Sequence, residues 1–173
     1  MEPEKASTFS DLYCRHAPEV YRFALYLSGD PELAKDIVSE TFLRVWDSTV
    51  VVRMTTVRGY LFTIARNLFL HEMRRRQRQV PLEDPHSVGG NPAREFGSRD
   101  ELLDTIAALR MLPEIDRTAL LLRANEGLSY EEIARVLGLS LSAAKVKIHR
   151  ARLWLAERRN GIERRKGGVH EID

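Results

Sequence analysis

The sequence predicts an all-α fold made of two small helical domains joined by a flexible linker. Apolar residues recur at helical spacing through most of the chain. No segment sustains the apolar–polar alternation of a strand, and the only strand-like run, residues 50–52, is short and isolated. Residues 79–98 are rich in proline and glycine and show neither period. A structureless stretch of this length is unusual inside a compact domain, so we interpret it as an interdomain linker.

The first domain, residues 6–78, is expected to begin with a helix from about Phe9 to Leu27. Apolar residues recur along it at helical spacing, and Pro18 predicts a kink or a restart. The next signal is the segment Gly29–Pro31. Its glycine is typical of a helix C-terminal cap, its aspartate of an N-cap and its proline of a first helical position. A second helix should therefore start directly after the first.

The second and third helices of this domain carry opposite charges on their outer surfaces. The second is expected from about Pro31 to Trp46, with acidic residues opposite its apolar stripe. The third is expected from about Thr56 to Gln77 and ends in the basic run of residues 74–78. The net charge of the whole chain is only +2. Local basic runs matter more than net charge for binding a polyanion, so this run is a candidate nucleic-acid contact.

The second domain, residues 99–160, is predicted to contain a helix-turn-helix. Ser129 and Glu132 have the spacing of a capping box, which opens a short helix. Gly138 ends that helix, and a longer basic helix is expected from Ser140 to about Arg158. A helix-turn-helix places its second helix in the major groove of DNA.

The remaining features exclude several classes of protein. Cys14 is the only cysteine, so an intrachain disulfide is impossible and the chain fits a reducing compartment. The N-terminus lacks the features of a signal peptide, and no apolar stretch reaches the ~18 residues of a membrane span. We therefore expect a cytoplasmic protein without membrane insertion, with a basic and polar tail at residues 161–173. No spacing suits a metal site, a phosphate loop or a catalytic nucleophile, so we expect no cofactor and no enzyme activity.

Three motifs in order carry a resemblance to a known family. Residues 36–46, DIVSETFLRVW, and residues 59–67, GYLFTIARN, occur in the first domain. Residues 127–134, GLSYEEIA, together with residues 149–152, HRAR, occur in the second. They resemble, respectively, regions 2.2, 2.3 and 4.2 of RNA polymerase sigma factors of the sigma-70 family. Larger sigma factors carry an additional middle domain, and its absence identifies the chain as a member of the extracytoplasmic-function (ECF) subgroup.

The resemblance implies a sigma region 2 helical bundle, a sigma region 4 helix-turn-helix and three groups of site residues. The residues expected to bind polymerase are Asp36, Glu40, Leu43 and Asp47. Those expected to bind the −10 DNA are Tyr60, Arg66, Asn67, Arg74 and Arg75. Those expected to bind the −35 DNA are Ser142, Ala143, Lys145, Lys147, Arg150 and Arg152. Many relatives have Gly-Thr-Val at residues 142–144 and Trp at position 60. We expect these differences to affect which promoter sequence is recognised rather than the fold.

The expected function follows from the same resemblance. It is a transcription initiation factor that binds core RNA polymerase and confers promoter recognition and melting on it. An anti-sigma protein is the expected controlling partner. The alternative is a helix-turn-helix transcriptional regulator that acts without docking on core polymerase, which predicts tight binding to duplex DNA in the absence of polymerase.

Overall fold

A computed structural model of the chain describes residues 3–47, 57–79 and 99–167. Side chains are placed within 9–47, 57–79 and 101–159. These ranges contain helices and no strand, which confirms the predicted all-α class. The seven helices of the described ranges are α1 (Pro3–Ser28), α2 (Pro31–Asp47), α3 (Val57–Gln79), α4 (Arg99–Arg110), α5 (Glu114–Ala124), α6 (Tyr130–Leu137) and α7 (Leu141–Gly167).

The predicted linker and two other predicted features lie wholly or partly outside the described residues. Gln79, the first residue of the predicted linker, is the last residue of α3, and residues 80–98 are not described. The apolar run at residues 50–52 and the end of the predicted tail, residues 168–173, are likewise outside the described ranges.

The first helix is continuous and does not restart at Pro18. Pro18 lies inside α1, although a proline removes one backbone hydrogen bond from a helix interior. The following turns bury Val20, Phe23 and Leu27 to 1% exposure or less. Packing of this apolar stripe against α2 therefore stabilises the helical path through the proline.

The junction between α1 and α2 has the caps that the sequence predicts. Gly29 adopts a φ of 71°, and its N–H donates to the carbonyl of Leu25 at 2.7 Å. The Oδ1 of Asp30 accepts hydrogen bonds from the N–H groups of Glu32 and Leu33, both at 3.1 Å. The chain reverses in these two residues, so α1 and α2 pack side by side.

Helices α1–α3, the N-terminal half, pack directly on α4–α7, the C-terminal half. Contacts run from α1 to α4 and α5, and from α3 to α6. Buried apolar residues of both halves join into one continuous core cluster. The sequence left the relative placement of the halves open, and the structure shows them closed on each other.

The last helix is longer than the apolar pattern predicts. It continues to Gly167, whereas we expected an end near Arg158 and a tail after residue 160. Between residues 156 and 166 the sequence has no proline and is rich in Ala, Glu, Arg and Lys. These residues have high intrinsic helix propensity, so the helix can continue after its apolar face has ended.

Candidate functional site

Helix α2 presents an acidic stripe that also contains an exposed leucine. The four residues predicted to bind polymerase follow one another at spacings of four, three and four, which aligns them on one face. All four are exposed, and Leu43 retains 61% of its accessible surface. Glu40 accepts a hydrogen bond from Arg44 at 2.9 Å, but exposed pairs of this kind are weak. The stripe therefore offers negative charge around an apolar centre.

Helix α3 aligns three of the five residues predicted to bind −10 DNA. Tyr60, Asn67 and Arg74 are seven residues apart, which is nearly two helical turns. Asn67 and Arg74 are exposed, and Tyr60 is half-buried. An aromatic ring, an amide and a guanidinium thus lie in a row along one face of the helix.

The basic run at the end of α3 is partly neutralised within the protein. Arg75 donates two hydrogen bonds to the carboxylate of Glu72, at 2.7 and 2.9 Å. Arg76 donates to Glu72 at 2.8 Å and to Asp30 at 3.2 Å. The hydrogen bond from Arg75 and a weaker one from Arg76 lower the pKa of Glu72 to about 2, against the opposing effect of burial. Glu72 therefore stays ionised and holds two of the basic side chains in place.

Arg66 faces the C-terminal half of the protein. Its Nε and Nη2 donate to the two carboxylate oxygens of Glu114, at 2.8 and 2.9 Å. The side chain of Arg66 is only 13% exposed and that of Glu114 is 24% exposed. The structure therefore separates Arg66 from the row formed by Tyr60, Asn67 and Arg74.

The helix-turn-helix has the predicted capping geometry. Ser129 Oγ accepts from the N–H of Glu132 at 3.2 Å, and Glu132 Oε2 accepts from the N–H of Ser129 at 2.8 Å. Gly138 has a φ of 65°, and the following Leu139 N–H donates to the carbonyl of Ala134 at 2.8 Å. These bonds satisfy the end groups of α6 and fix the angle at which α7 departs.

The second helix of this motif, α7, turns a basic face away from the protein. Its apolar residues Ala144, Ile148 and Ala151 are buried to 1% exposure or less, against α5 and α6. Four of the six residues predicted to bind −35 DNA are exposed, and Ala143 and Lys147 are partly buried. The four exposed residues are Ser142, Lys145, Arg150 and Arg152.

Lys147 makes an internal ion pair that the sequence did not predict. Its Nζ lies 3.0 Å from Oδ1 of Asp116, whose side chain is 3% exposed. The geometry is outside that of a hydrogen bond, so the contact is electrostatic. It ties α7 to α5, and a role of Lys147 in DNA binding stays a prediction.

The exposed face of α7 also carries two apolar residues that are not among the predicted −35 DNA contacts. Val146 is 54% exposed and Leu153 is 51% exposed, seven residues apart. The helical period alone places both on the outward face, so this signal was available in the sequence. An exposed valine can contact the methyl group of thymine in the major groove.

Sequence reasoning missed a second ionic contact between the two halves. Arg22 donates to both carboxylate oxygens of Glu126, at 3.1 and 2.8 Å, and the side chain of Glu126 is fully buried. Arg58 donates to the backbone carbonyl of Glu126 at 2.6 Å and to the carboxylate of Glu19 at 3.1 Å. Burial raises the pKa of Glu126, and the hydrogen bond from Arg22 only partly opposes it. Partners 104 residues apart leave no local pattern to predict them.

The described residues contain no candidate membrane span and no candidate metal site. In that part of the chain, no helix has both the length and the apolar character needed to cross a membrane. The same residues contain no group of three or more His, Cys, Asp or Glu side chains placed to hold a metal ion.

Comparisons with known proteins cover both halves. Residues 12–79 match the family model for sigma-70 region 2, and residues 102–155 match the model for sigma-70 region 4. The ECF RNA polymerase sigma factor SigE of Mycolicibacterium smegmatis is 38% identical to this chain. The match covers 87% of this chain and 61% of the length of SigE. The ECF RNA polymerase sigma factor EcfG of Rhodopseudomonas palustris is 34% identical over 80% of this chain and 78% of its own length.

A solved structure gives the same result. The sigma factor RpoE of Bartonella quintana, determined in complex with the anti-sigma factor NepR, is 34% identical to this chain, with a TM-score of 0.72. The match covers 87% of this chain and 95% of RpoE. Together with the two family models, these likenesses show that the chain belongs to the extracytoplasmic-function RNA polymerase sigma factors of the sigma-70 family.

Proposed function

We propose that this chain is a transcription initiation factor that binds core RNA polymerase and confers promoter recognition and melting on it. In this role it acts in the cytoplasm as a non-enzymatic subunit. The N-terminal half docks on polymerase and captures the melted −10 strand, and the C-terminal half reads the −35 element.

The acidic stripe of α2 is the observation that carries this proposal. A protein that bound only DNA would gain nothing from four aligned residues of which three are acidic, because they repel phosphates. The exposed Leu43 among these acids suits a basic protein surface with an apolar pocket. The stripe therefore favours a polymerase-binding factor over a regulator that acts on DNA alone.

The exposed faces of α3 and α7 supply the two proposed DNA contacts. On α3, Tyr60 offers a ring on which an unpaired base can stack, Asn67 an amide that can donate to and accept from a base edge, and Arg74 a charge for a phosphate. On α7, the N-terminal turns present an exposed face opposite their buried apolar residues, and this face can enter a major groove. We expect the exposed Arg150 and Lys145 to contact bases or phosphates there.

Control by an anti-sigma protein is part of the proposal. The related RpoE of Bartonella quintana was solved with the anti-sigma factor NepR bound. That complex supports a partner of the same kind for this chain. A partner that covers the α2 stripe would prevent polymerase docking.

A charge reversal on the stripe tests the polymerase contact. We expect Asp36→Arg/Glu40→Arg to weaken binding to purified core RNA polymerase at least tenfold and to abolish promoter-dependent transcription in vitro. Glu101→Arg/Asp104→Arg is the matched control, because it reverses two exposed acids on α4 at nearly the same spacing. Equal loss of polymerase binding in both variants would show that net charge, and not the stripe itself, causes the effect. Unaltered binding by the stripe variant, or tight duplex binding with no affinity for core, would refute the proposal and favour the regulator.

A further inference from the structure

Val146 is an exposed apolar residue in the middle of the basic outward face of α7. It keeps 54% of its accessible surface, although valine has a lower helix propensity than lysine, arginine or glutamate. Its neighbours one helical turn before and after it are Ser142 and Arg150, and both are exposed. Neither burial nor helix propensity therefore explains a valine at this position.

The two lysines next to Val146 in the sequence do not cover it. Successive residues of a helix are about 100° apart around its axis, so Lys145 and Lys147 flank Val146 on opposite sides. Lys145 Nζ lies 5.6 Å from the ring centroid of Tyr130 on α6, and Lys147 Nζ lies 3.0 Å from Oδ1 of Asp116 on α5. Both lysine side chains thus extend toward other helices of the protein. The valine between them is left open to a ligand.

The position and the conformation of Val146 are fixed before a ligand binds. Ala144 and Ile148, on the opposite face of the same turns, are buried to 1% exposure or less. Ser140 Oγ accepts a hydrogen bond from the N–H of Ala143 at 3.2 Å, which fixes the start of α7. A valine side chain in a helix is confined largely to one rotamer. The two methyl groups of Val146 therefore point in a defined direction.

The surroundings of Val146 favour duplex DNA as the ligand rather than an apolar protein surface. From residue 141 to residue 156 the chain contains no acidic residue, and Arg150 is exposed. Such a surface complements phosphates. The residues one turn before Val146, Ser142 and Ala143, are small, so the helix backbone can come close to the floor of a groove. In the major groove, the 5-methyl group of thymine is the apolar feature that distinguishes the base pairs.

We propose that Val146 selects thymine at one position of the −35 element, through contact between its methyl groups and the 5-methyl group of the base. The ligand, −35 duplex DNA, is taken from the proposed function, and the inference adds which residue reads which chemical group. The contact removes apolar surface of both partners from water. Burial of one methyl group corresponds to roughly a fourfold gain in affinity.

Selection from a randomised duplex, followed by removal of single methyl groups, tests the inference. The parent chain, bound to purified core RNA polymerase and also alone, selects sequences from a DNA duplex library that is randomised across the −35 region. Each thymine of the selected block is then replaced in turn by deoxyuridine, which removes only the 5-methyl group. We expect one such replacement to weaken binding of the parent chain roughly fourfold.

Three variants of α7 decide whether Val146 makes this contact. Val146→Ala should bind the thymine and the deoxyuridine duplexes equally, whereas Val146→Thr, which keeps one methyl group and the β-branch, should retain part of the preference. Leu153→Ala is the matched control, because Leu153 is 51% exposed on the same helix but lies about 10 Å further along its axis. It should respond to the replacement like the parent chain. An unaltered preference in Val146→Ala, or the absence of any thymine whose replacement weakens binding, would overturn the inference.

The outcome is distinguishable from that of the polymerase experiment. If the chain alone selects a duplex and its preference for thymine depends on Val146, while no variant binds core polymerase, thymine reading holds and the proposed function fails. If the chain binds core polymerase and directs transcription but Val146→Ala keeps the preference, the proposed function holds and the inference fails. Failure to select any sequence, with or without core polymerase, would also overturn the inference.

Discussion

Replacement of Gly29 by alanine tests whether the two halves pack as closely as the structure shows. Gly29 has a φ of 71°, and a Cβ added there would lie 3.0 Å from Cγ2 of Ile106 and 3.3 Å from Cδ of Arg110. The left-handed backbone costs an alanine about 1–2 kcal/mol. Crowding of a packed contact adds about 1 kcal/mol or more. We expect the free energy of unfolding to fall by about 2–3 kcal/mol in total.

Gly138 provides a matched control for the backbone cost. It has nearly the same φ, 65°, but an added Cβ would meet no heavy atom within 4 Å. Gly138→Ala should therefore cost only about 1–2 kcal/mol in urea unfolding. The difference between the two variants measures the crowding against α4. Equal destabilisation of the two variants would refute the close packing of the α1–α2 junction on α4.

Three further predictions concern single contacts. Ser129→Ala should lower the unfolding free energy by about 1 kcal/mol in urea titrations, because the N-cap of α6 is lost. The control Ser142→Ala, on the exposed face of α7, should alter it by less than about 0.5 kcal/mol. Equal effects of the two substitutions would contradict the role of the cap. The pKa of Glu72 lies near 2 in the folded protein, against an ordinary value of 4.5. Because the folded pKa is lowered, Glu72 stabilises the fold above pH 4.5 and this contribution is lost as the pH falls toward 2. The stability difference between the parent chain and Glu72→Gln should therefore shrink across that range in urea titrations, and a constant difference would contradict it. Lys147→Ala should lower the free energy of unfolding by about 2–3 kcal/mol, because it leaves Asp116 buried without a cation. The double replacement Asp116→Leu/Lys147→Met should lower it less, because it removes both charges. The reverse order of the two variants in thermal unfolding would contradict the ion pair.

The local features of the fold were predictable because each depends on neighbours in sequence. The capping box at Ser129 needs only a glutamate three residues later. The turn at Gly29 needs a glycine for its positive φ and an aspartate after it. In both places the structure contains the predicted hydrogen bonds. The end of α7 was predicted less well, since the apolar pattern stops before the helix does.

The candidate sites were predictable to the extent that a helical period determines them. Spacing placed Asp36 and Glu40 on one exposed face, and the structure leaves both exposed. Asn67 and Arg66 were both expected to bind DNA from the resemblance, but the structure exposes Asn67 and pairs Arg66 with Glu114. Whether a basic side chain faces solvent or an internal carboxylate depends on a partner far away in the sequence. Lys147 illustrates the same limit, because its partner Asp116 lies on another helix.

The sequence by itself determined an all-α chain, its helix caps, the helix-turn-helix and the family, because these are encoded in period, capping residues and motif order. Only the tertiary structure decided that the halves close on each other and that Arg66 binds Glu114. The physical reason is how far apart along the chain the interacting residues lie. Caps and helical faces depend on residues within a few positions, whereas packing and ion pairs between the halves depend on how separate helices meet in space.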